Sequence, residues 1–254
     1  MITLLKQEGM KAWKQNRVYY WFILALIVPI LWIWRNPTAD SLSILGQGFN
    51  VANLAVIVMA AVIFTQEFHF GTIRPLLSRR FSRSAVFTSK ILTYTGVYLG
   101  TFFMSFVGTM IAWPIFVHHV SHSDLTNIWQ GIGSLIFSYV LTYAFVTAFI
   151  LLVANIVKSS GAAIGLGMVL LVGSNILGAF SLFLKHTWEP LKWNPFGVEF
   201  GIRAIGGDIF DGKMMKADAH QLMNAEPWVI FLVFAAYVLV LYAVTYYIFK
   251  RRSV

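Results

Sequence analysis

The sequence contains no cysteine among its 254 residues, and only 11% of its residues are charged. Without cysteine the chain forms no disulfide, holds no thiolate-bound metal and offers no cysteine nucleophile. A soluble domain carries charge on about a quarter of its residues, whereas 58% of this chain is hydrophobic. We therefore expect most of the chain to lie in lipid.

The sequence also lacks the common catalytic patterns. It has no GxxxxGK[ST] phosphate loop, no GxSxG elbow and no HExxH pair, so the chain by itself binds no ATP in the P-loop manner. No Asp, Glu, Lys or Arg lies centrally in its long apolar runs, which argues against a transporter driven by protons or ions. We predict that the chain is not an enzyme.

Six apolar runs are long enough to cross about 30 Å of hydrocarbon. They predict an all-α membrane protein with one domain over residues 1–254 and transmembrane helices near residues 18–34, 44–66, 91–117, 128–157, 161–184 and 228–249. Two further segments flank or interrupt these runs. Residues 1–17 are basic and amphipathic, which is typical of a helix in the cytoplasmic interface. Residues 185–226 predict an exoplasmic helical hairpin or re-entrant segment.

The basic residues are divided unequally between the two sides that six crossings define. Of the 19 Lys and Arg residues, 13 fall on the side that holds both termini and six on the other. Eight of the ten Asp and Glu residues fall on that other side. Because cytoplasmic loops retain Lys and Arg, we expect both termini to be cytoplasmic. The net charge of +9 thus reflects membrane topology, and no nucleic-acid partner is expected.

The longest charged interruption of the first half, residues 67–83, reads EFHFGTIRPLLSRRFSR. We call it the 67–83 element. Its apolar residues Phe70, Ile73, Leu76 and Leu77 recur at helical spacing, which predicts a short amphipathic helix on the cytoplasmic side. The element is either a docking surface for a partner or an ordinary basic connector in which Glu67 caps a helix.

The same residues resemble the signature of ABC-2-type transporter permeases. The resemblance rests on Glu67, Gly71-Thr72-Ile73-Arg74, Leu76-Leu77-Ser78, Ser82-Arg83 and Lys90. In that family a Glu ends the second transmembrane helix, and a Gly-Thr-Ile/Leu-(Arg/Lys) turn opens a coupling helix that seats on an ATPase. The resemblance implies ATPase docking by Glu67, Phe70, Gly71, Thr72, Ile73, Arg74, Leu76, Leu77 and Arg83. Pro75 with Arg79 and Arg80 departs from the family pattern and leaves the extent of the coupling helix open.

The resemblance also implies partners and a role. Two ATPase subunits would bind ATP and Mg, this chain would hold no cofactor, and a second copy of the permease would pair with it in a bacterial cell membrane, in contact with lipid. The implied cargo is an antimicrobial or cytolytic peptide or another amphipathic molecule moved out of the cell. Drugs, lipids or other small molecules are alternative cargoes. A membrane scaffold or enzyme that transports nothing is a further alternative.

Neutral polar residues mark two helix faces inside the predicted spans. Asn50 and Asn53 are three residues apart in the second span, and Ser134 and Ser138 are four apart in the fourth. Both sets are interpreted either as interhelical hydrogen-bonding groups, worth about 0.6 kcal/mol each in a membrane, or as the lining of a translocation path.

A histidine cluster, His118, His119 and His122, lies where the third span is expected to meet the outside. Two imidazoles four residues apart are compatible with a metal site. A solvated loop that responds to pH is the alternative, and we predict no metal site.

The charge division predicts the topology directly. An epitope tag within residues 213–221 should bind antibody on intact cells, whereas a tag after Val254 should bind only after permeabilisation. Labelling of Val254 from outside on intact cells would contradict the orientation.

Overall fold

The computed structural model describes residues 2–14, 18–38, 41, 45–69, 82–117, 122–157, 159–206 and 212–251. All regular secondary structure in these ranges is helical. Short 3₁₀ segments lie at Leu45–Gln47, Leu184–His186 and Glu189–Trp193. The α-helices described are α1 (Ile2–Lys14), α2 (Val18–Arg35), α3 (Gly48–His69), α4 (Arg83–Phe116), α5 (His122–Val157), α6 (Ser160–Phe183), α7 (Pro195–Gly206), α8 (Gly212–Met223) and α9 (Pro227–Arg251).

Six of these helices, α2 to α6 and α9, are long and apolar enough to cross a membrane. This confirms the predicted all-α fold with six spans. The helices α4 and α5 contain 34 and 36 residues, or about 50 Å each at 1.5 Å per residue. They exceed the thickness of the hydrocarbon core, so they tilt or extend beyond it.

Helix α3 lies at the centre of the bundle and packs against α2, α4, α5 and α6. Its apolar residues surround the whole helix, and nearly all of them from Phe49 to Phe64 are buried. A helix that is apolar on every side suits either the protein interior or lipid. The central position of α3 therefore comes from its packing, since α9 is at least as apolar and is mostly exposed.

Helix α4 begins eight residues earlier than the sequence pattern predicted, at Arg83 instead of near residue 91. Ser82 caps it, because its Oγ accepts a hydrogen bond from the Ala85 backbone N–H at 3.2 Å. Charged and hydroxyl residues at the start of α4 hid this first part from a search for apolar runs. Lys90 is consequently the eighth residue of a helix.

Lys90 is also buried, with only 1% of its side chain exposed. Its ammonium group donates to the Ile63 carbonyl at 2.7 Å and lies 3.5 Å from Glu8 Oε2. Glu8 belongs to the face of α1 that packs on α4, together with Leu4 and Ala12. One buried cation therefore joins α1, α3 and α4.

The segment that follows α6 is folded back onto the bundle. Helix α7 packs against α5, α6 and α9, and α8 packs against α7. Gly178 of α6 permits the close approach of α7, since a Cβ at this position would lie 2.7 Å from the Phe196 carbonyl oxygen. The helices of this segment agree with the predicted helical hairpin, and its place outside the cell stays a prediction.

Lys11 and Lys90 both lie near the Glu8 carboxylate. We expect that replacing each of them changes the stability of the fold by a different amount. Lys90→Met removes the buried cation beside Glu8, and we expect a loss of about 3 kcal/mol of unfolding free energy. Lys11 lies 2.9 Å from Glu8 but is 35% exposed, so Lys11→Met should cost less than about 1 kcal/mol. Thermal unfolding of the purified variants measures both.

A double variant separates charge from packing. Glu8→Gln added to Lys90→Met removes the remaining carboxylate charge and should restore part of the lost stability. Equal destabilisation by Lys11→Met and Lys90→Met would show that the buried pair does not hold α1 in place.

Candidate functional site

A cavity of about 530 Å³ lies between α3, α5, α6 and α7. This volume falls in the range of small-molecule sites. Its wall combines amide, hydroxyl and guanidinium groups with aliphatic side chains. The lining residues are Asn50, Asn53, Leu135, Ser138, Tyr139, Thr142, Leu171, Val172, Asn175, Ile176 and Arg203.

Both asparagines that the sequence singled out lie in this wall. Asn50 is exposed. Its Nδ2 donates to Oε1 of Gln47 at 2.7 Å, and Gln47 lies in the 3₁₀ segment just before α3. Asn53 follows one turn later and is 6% exposed. The described bond of Asn50 does not cross to another helix. Their position in a cavity wall is what a path-lining role requires.

The two serines differ in position although both are buried. Ser138 lines the cavity, and its Oγ donates to the Arg203 carbonyl at 3.3 Å. Ser134, one turn earlier on α5, lies outside the set of lining residues. Thr142, one turn after Ser138, lines the cavity and donates to Glu199 Oε1 at 3.3 Å.

An ion pair on α7 adjoins the cavity, and the sequence analysis did not single it out. Arg203 lines the cavity with 29% of its side chain exposed, and its Nε lies 3.7 Å from Glu199 Oε1. Its guanidinium group also donates to Asn175 Oδ1 on α6 and lies over the Phe200 ring. Glu and Arg side chains four residues apart lie on the same helix face. This spacing within an apolar segment is the sequence signal from which the ion pair could have been predicted.

Glu199 itself is almost completely buried, with 2% of its side chain exposed. Burial raises the pKa of its carboxyl above the usual range, and the Arg203 charge and the Thr142 hydroxyl oppose that rise. In the described part of the chain, no donor lies within hydrogen-bond distance of Glu199 Oε2. Buried carboxylates are rarely left half-bonded, so this pair is unusual for a purely structural contact.

At the opposite end of α3, the structure describes only the margins of the 67–83 element. The backbone of Glu67 belongs to the last turns of α3. Phe70, Gly71, Thr72, Ile73, Arg74, Leu76 and Leu77 lie outside the described residues. Arg83 opens α4, and its guanidinium donates to the Lys250 carbonyl at the end of α9. The predicted coupling helix thus stays a prediction.

Among the described residues, no group of three or more His, Cys, Asp or Glu side chains is arranged to hold a metal ion. His118 and His119 lie outside those residues, as does the side chain of His122.

Comparison with known proteins gives one family. The family model described as ABC-2 family transporter protein matches residues 4–174. The matched region begins in α1, ends in α6 and covers well over half of the chain. No curated protein sequence matches the chain.

The natural absence of cysteine makes the cavity testable by single-cysteine labelling. Ser138→Cys should react with the anionic reagent sulfonatoethyl methanethiosulfonate, because its side chain faces a space that admits water. Ser134→Cys is the matched control and should stay at least about tenfold less reactive, since it is buried outside the lining. Intact-protein mass spectrometry measures both rates. Equal reactivity at the two positions would contradict the assignment of the cavity wall.

Proposed function

This chain belongs to the ABC-2 transporter family and is a transmembrane transporter component, and from that premise we propose that it is the permease subunit of an ATP-driven exporter. Members of the family typically work with an ABC ATPase. Since the sequence contains no phosphate loop, ATP and Mg would be bound by a separate subunit. Two ATPase copies beneath two permease copies in a bacterial cell membrane form the proposed assembly.

The observation that carries this proposal is the arrangement of α3. Asn50 and Asn53, in the first two turns of α3, line the cavity, and the 67–83 element begins in the last turn of the same helix. The helix contains 22 residues and is therefore about 33 Å long. Packing on four neighbouring helices makes α3 a continuous element between the cavity and the end that is proposed to face the cytoplasm. A displacement of the 67–83 element by ATP-driven closure would reach the cavity through α3.

The contacts beside the element support this route. Lys90 binds the Ile63 carbonyl of α3, so the C-terminal half of α3 is attached to α4 and, through Glu8, to α1. Arg83 attaches the first residue of α4 to the end of α9. Force applied between α3 and α4 would thus be distributed over four helices. Coupling between the 67–83 element and the cavity would require that α3 and its neighbours adopt two arrangements.

The volume and lining of the cavity indicate only the general chemistry of the cargo. A volume of about 530 Å³ accommodates a drug-sized molecule or one end of a peptide. Aliphatic and polar groups share the wall, which favours an amphipathic cargo. An antimicrobial or cytolytic peptide moved outward is the proposed cargo, with a small amphipathic molecule on the same scaffold as the second candidate.

Docking of the ATPase is tested by charge reversal in the 67–83 element. Arg74→Glu, or Leu77→Asp, should lower the amount of ATPase that co-purifies with the permease by about tenfold or more. The first variant reverses a charge at the proposed interface and the second buries a carboxylate there, and both changes oppose association. Membrane insertion should be unchanged. Arg35→Glu is the matched control on the opposite side. A full complement of ATPase on either element variant would overturn the docking role.

A further inference from the structure

The cavity contains one charged group among its described lining residues, the guanidinium of Arg203. Its partner Glu199 is buried outside the lining set. A cation entering the cavity would meet a like charge in surroundings of low dielectric, whereas an anion would meet an opposite one. Glu199 lies 3.7 Å from this guanidinium and offsets part of its charge, so the preference for a negatively charged ligand rests on direct contact with Arg203.

Arg203 retains hydrogen-bonding capacity for such a ligand. A guanidinium has five N–H donors, and in the described part of the chain one of them bonds to Asn175 Oδ1. The distance of 3.7 Å to Glu199 Oε1 is that of an ion pair and too long for a hydrogen bond. The remaining donors form the planar fork that matches a carboxylate or a phosphate.

The guanidinium is also held in position before any ligand arrives. Asn175 of α6 accepts a hydrogen bond from it, and its Cζ lies 5.7 Å from the centre of the Phe200 ring. Glu199 attracts it from the preceding turn of α7. A group whose orientation is fixed loses little entropy when it binds. Asn53 and Tyr139 add an amide and a hydroxyl to the same wall.

The rest of the wall limits the body of the ligand. Leu135, Leu171 and Ile176 are aliphatic and line the same space. Burial of alkyl groups against them is favourable because it removes apolar surface from water. The cavity thus combines one anion-binding group with an apolar surface.

From these observations we propose that the cavity binds an amphipathic organic anion, with its carboxylate or phosphate on Arg203 and its apolar body against α5 and α6. This inference deepens the proposed function, because it names the chemical class of ligand for the same cavity. Arg203 is the residue that determines specificity, and Glu199 positions it and partly neutralises it. A lipid headgroup and a soluble cargo carry the same chemistry.

The test compares two probes of equal chain length and opposite charge. Octyl phosphate and octyltrimethylammonium are titrated by calorimetry into the full chain in phosphatidylcholine nanodiscs, with empty nanodiscs as the blank. We expect octyl phosphate to bind at least about tenfold more tightly, as a charge-assisted pair requires. Equal binding of the two probes, or tighter binding of the cation, would overturn the proposal.

Variants assign the binding to Arg203. The double variant Arg203→Gln/Glu199→Gln leaves no lone buried charge and should lose at least about tenfold in affinity for octyl phosphate. Arg203→Lys keeps the charge without the fork and should be intermediate, which keeps the proposal testable where the double variant does not fold. Lys216→Gln, an exposed cation of α8, is the control and should bind as the wild type does. Unchanged affinity in a folded double variant would exclude Arg203.

The single variant Glu199→Gln gives a prediction of opposite sign. Its amide oxygen still accepts from Thr142, but the charge that neutralises Arg203 is gone, so octyl phosphate should bind several-fold more tightly. A purely structural role predicts weaker binding, and weaker binding in a folded variant would contradict the assignment.

A last arm identifies the source of the anion. Addition of phosphatidylglycerol to the nanodiscs should weaken octyl phosphate binding where a lipid headgroup occupies the site and leave it unchanged where a soluble cargo does. Both results agree with an anion site. No ATPase takes part in these titrations, so anion binding and ATPase docking succeed or fail separately.

Discussion

Lipid offers no water to the backbone, and this constraint determines the architecture. Every N–H and C=O group at membrane depth must bond within the protein, which is why long apolar helices account for the fold. The same medium makes each buried polar side chain costly. The few that occur are therefore informative about how the bundle is held together and where it opens.

Two basic side chains show the different uses of such groups. Lys90 is enclosed, with bonds to a carbonyl of α3 and a carboxylate of α1. Arg203 is held by three neighbours but still faces a cavity. The first closes the end of the bundle at which α3 ends and α4 begins, and the second leaves donors available within the bundle. Helix α3 passes between them.

The sequence predicted the spans well because hydrophobicity alone determines them, and it missed features that depend on packing. The early start of α4 was hidden because charged and hydroxyl residues interrupt its first two turns, yet these turns contact α1 and α9. Glu199 and Arg203 fall in the segment predicted to be an exoplasmic helical hairpin or a re-entrant segment, and no periodicity shows that α7 packs on α5 and α6 beside the cavity. The difference between Ser134 and Ser138 depends on the shape of the cavity, which composition does not encode.

We propose that this chain acts through an ATPase on a separate chain. The most direct measurement is ATP hydrolysis by the complex that a tagged full-length chain retains from native membranes in mild detergent. The account predicts a second polypeptide in equal amount, with ATP hydrolysis that a phosphate-loop substitution in that polypeptide abolishes. Purification of the chain without a second polypeptide, under conditions that keep other membrane complexes intact, would contradict this proposal.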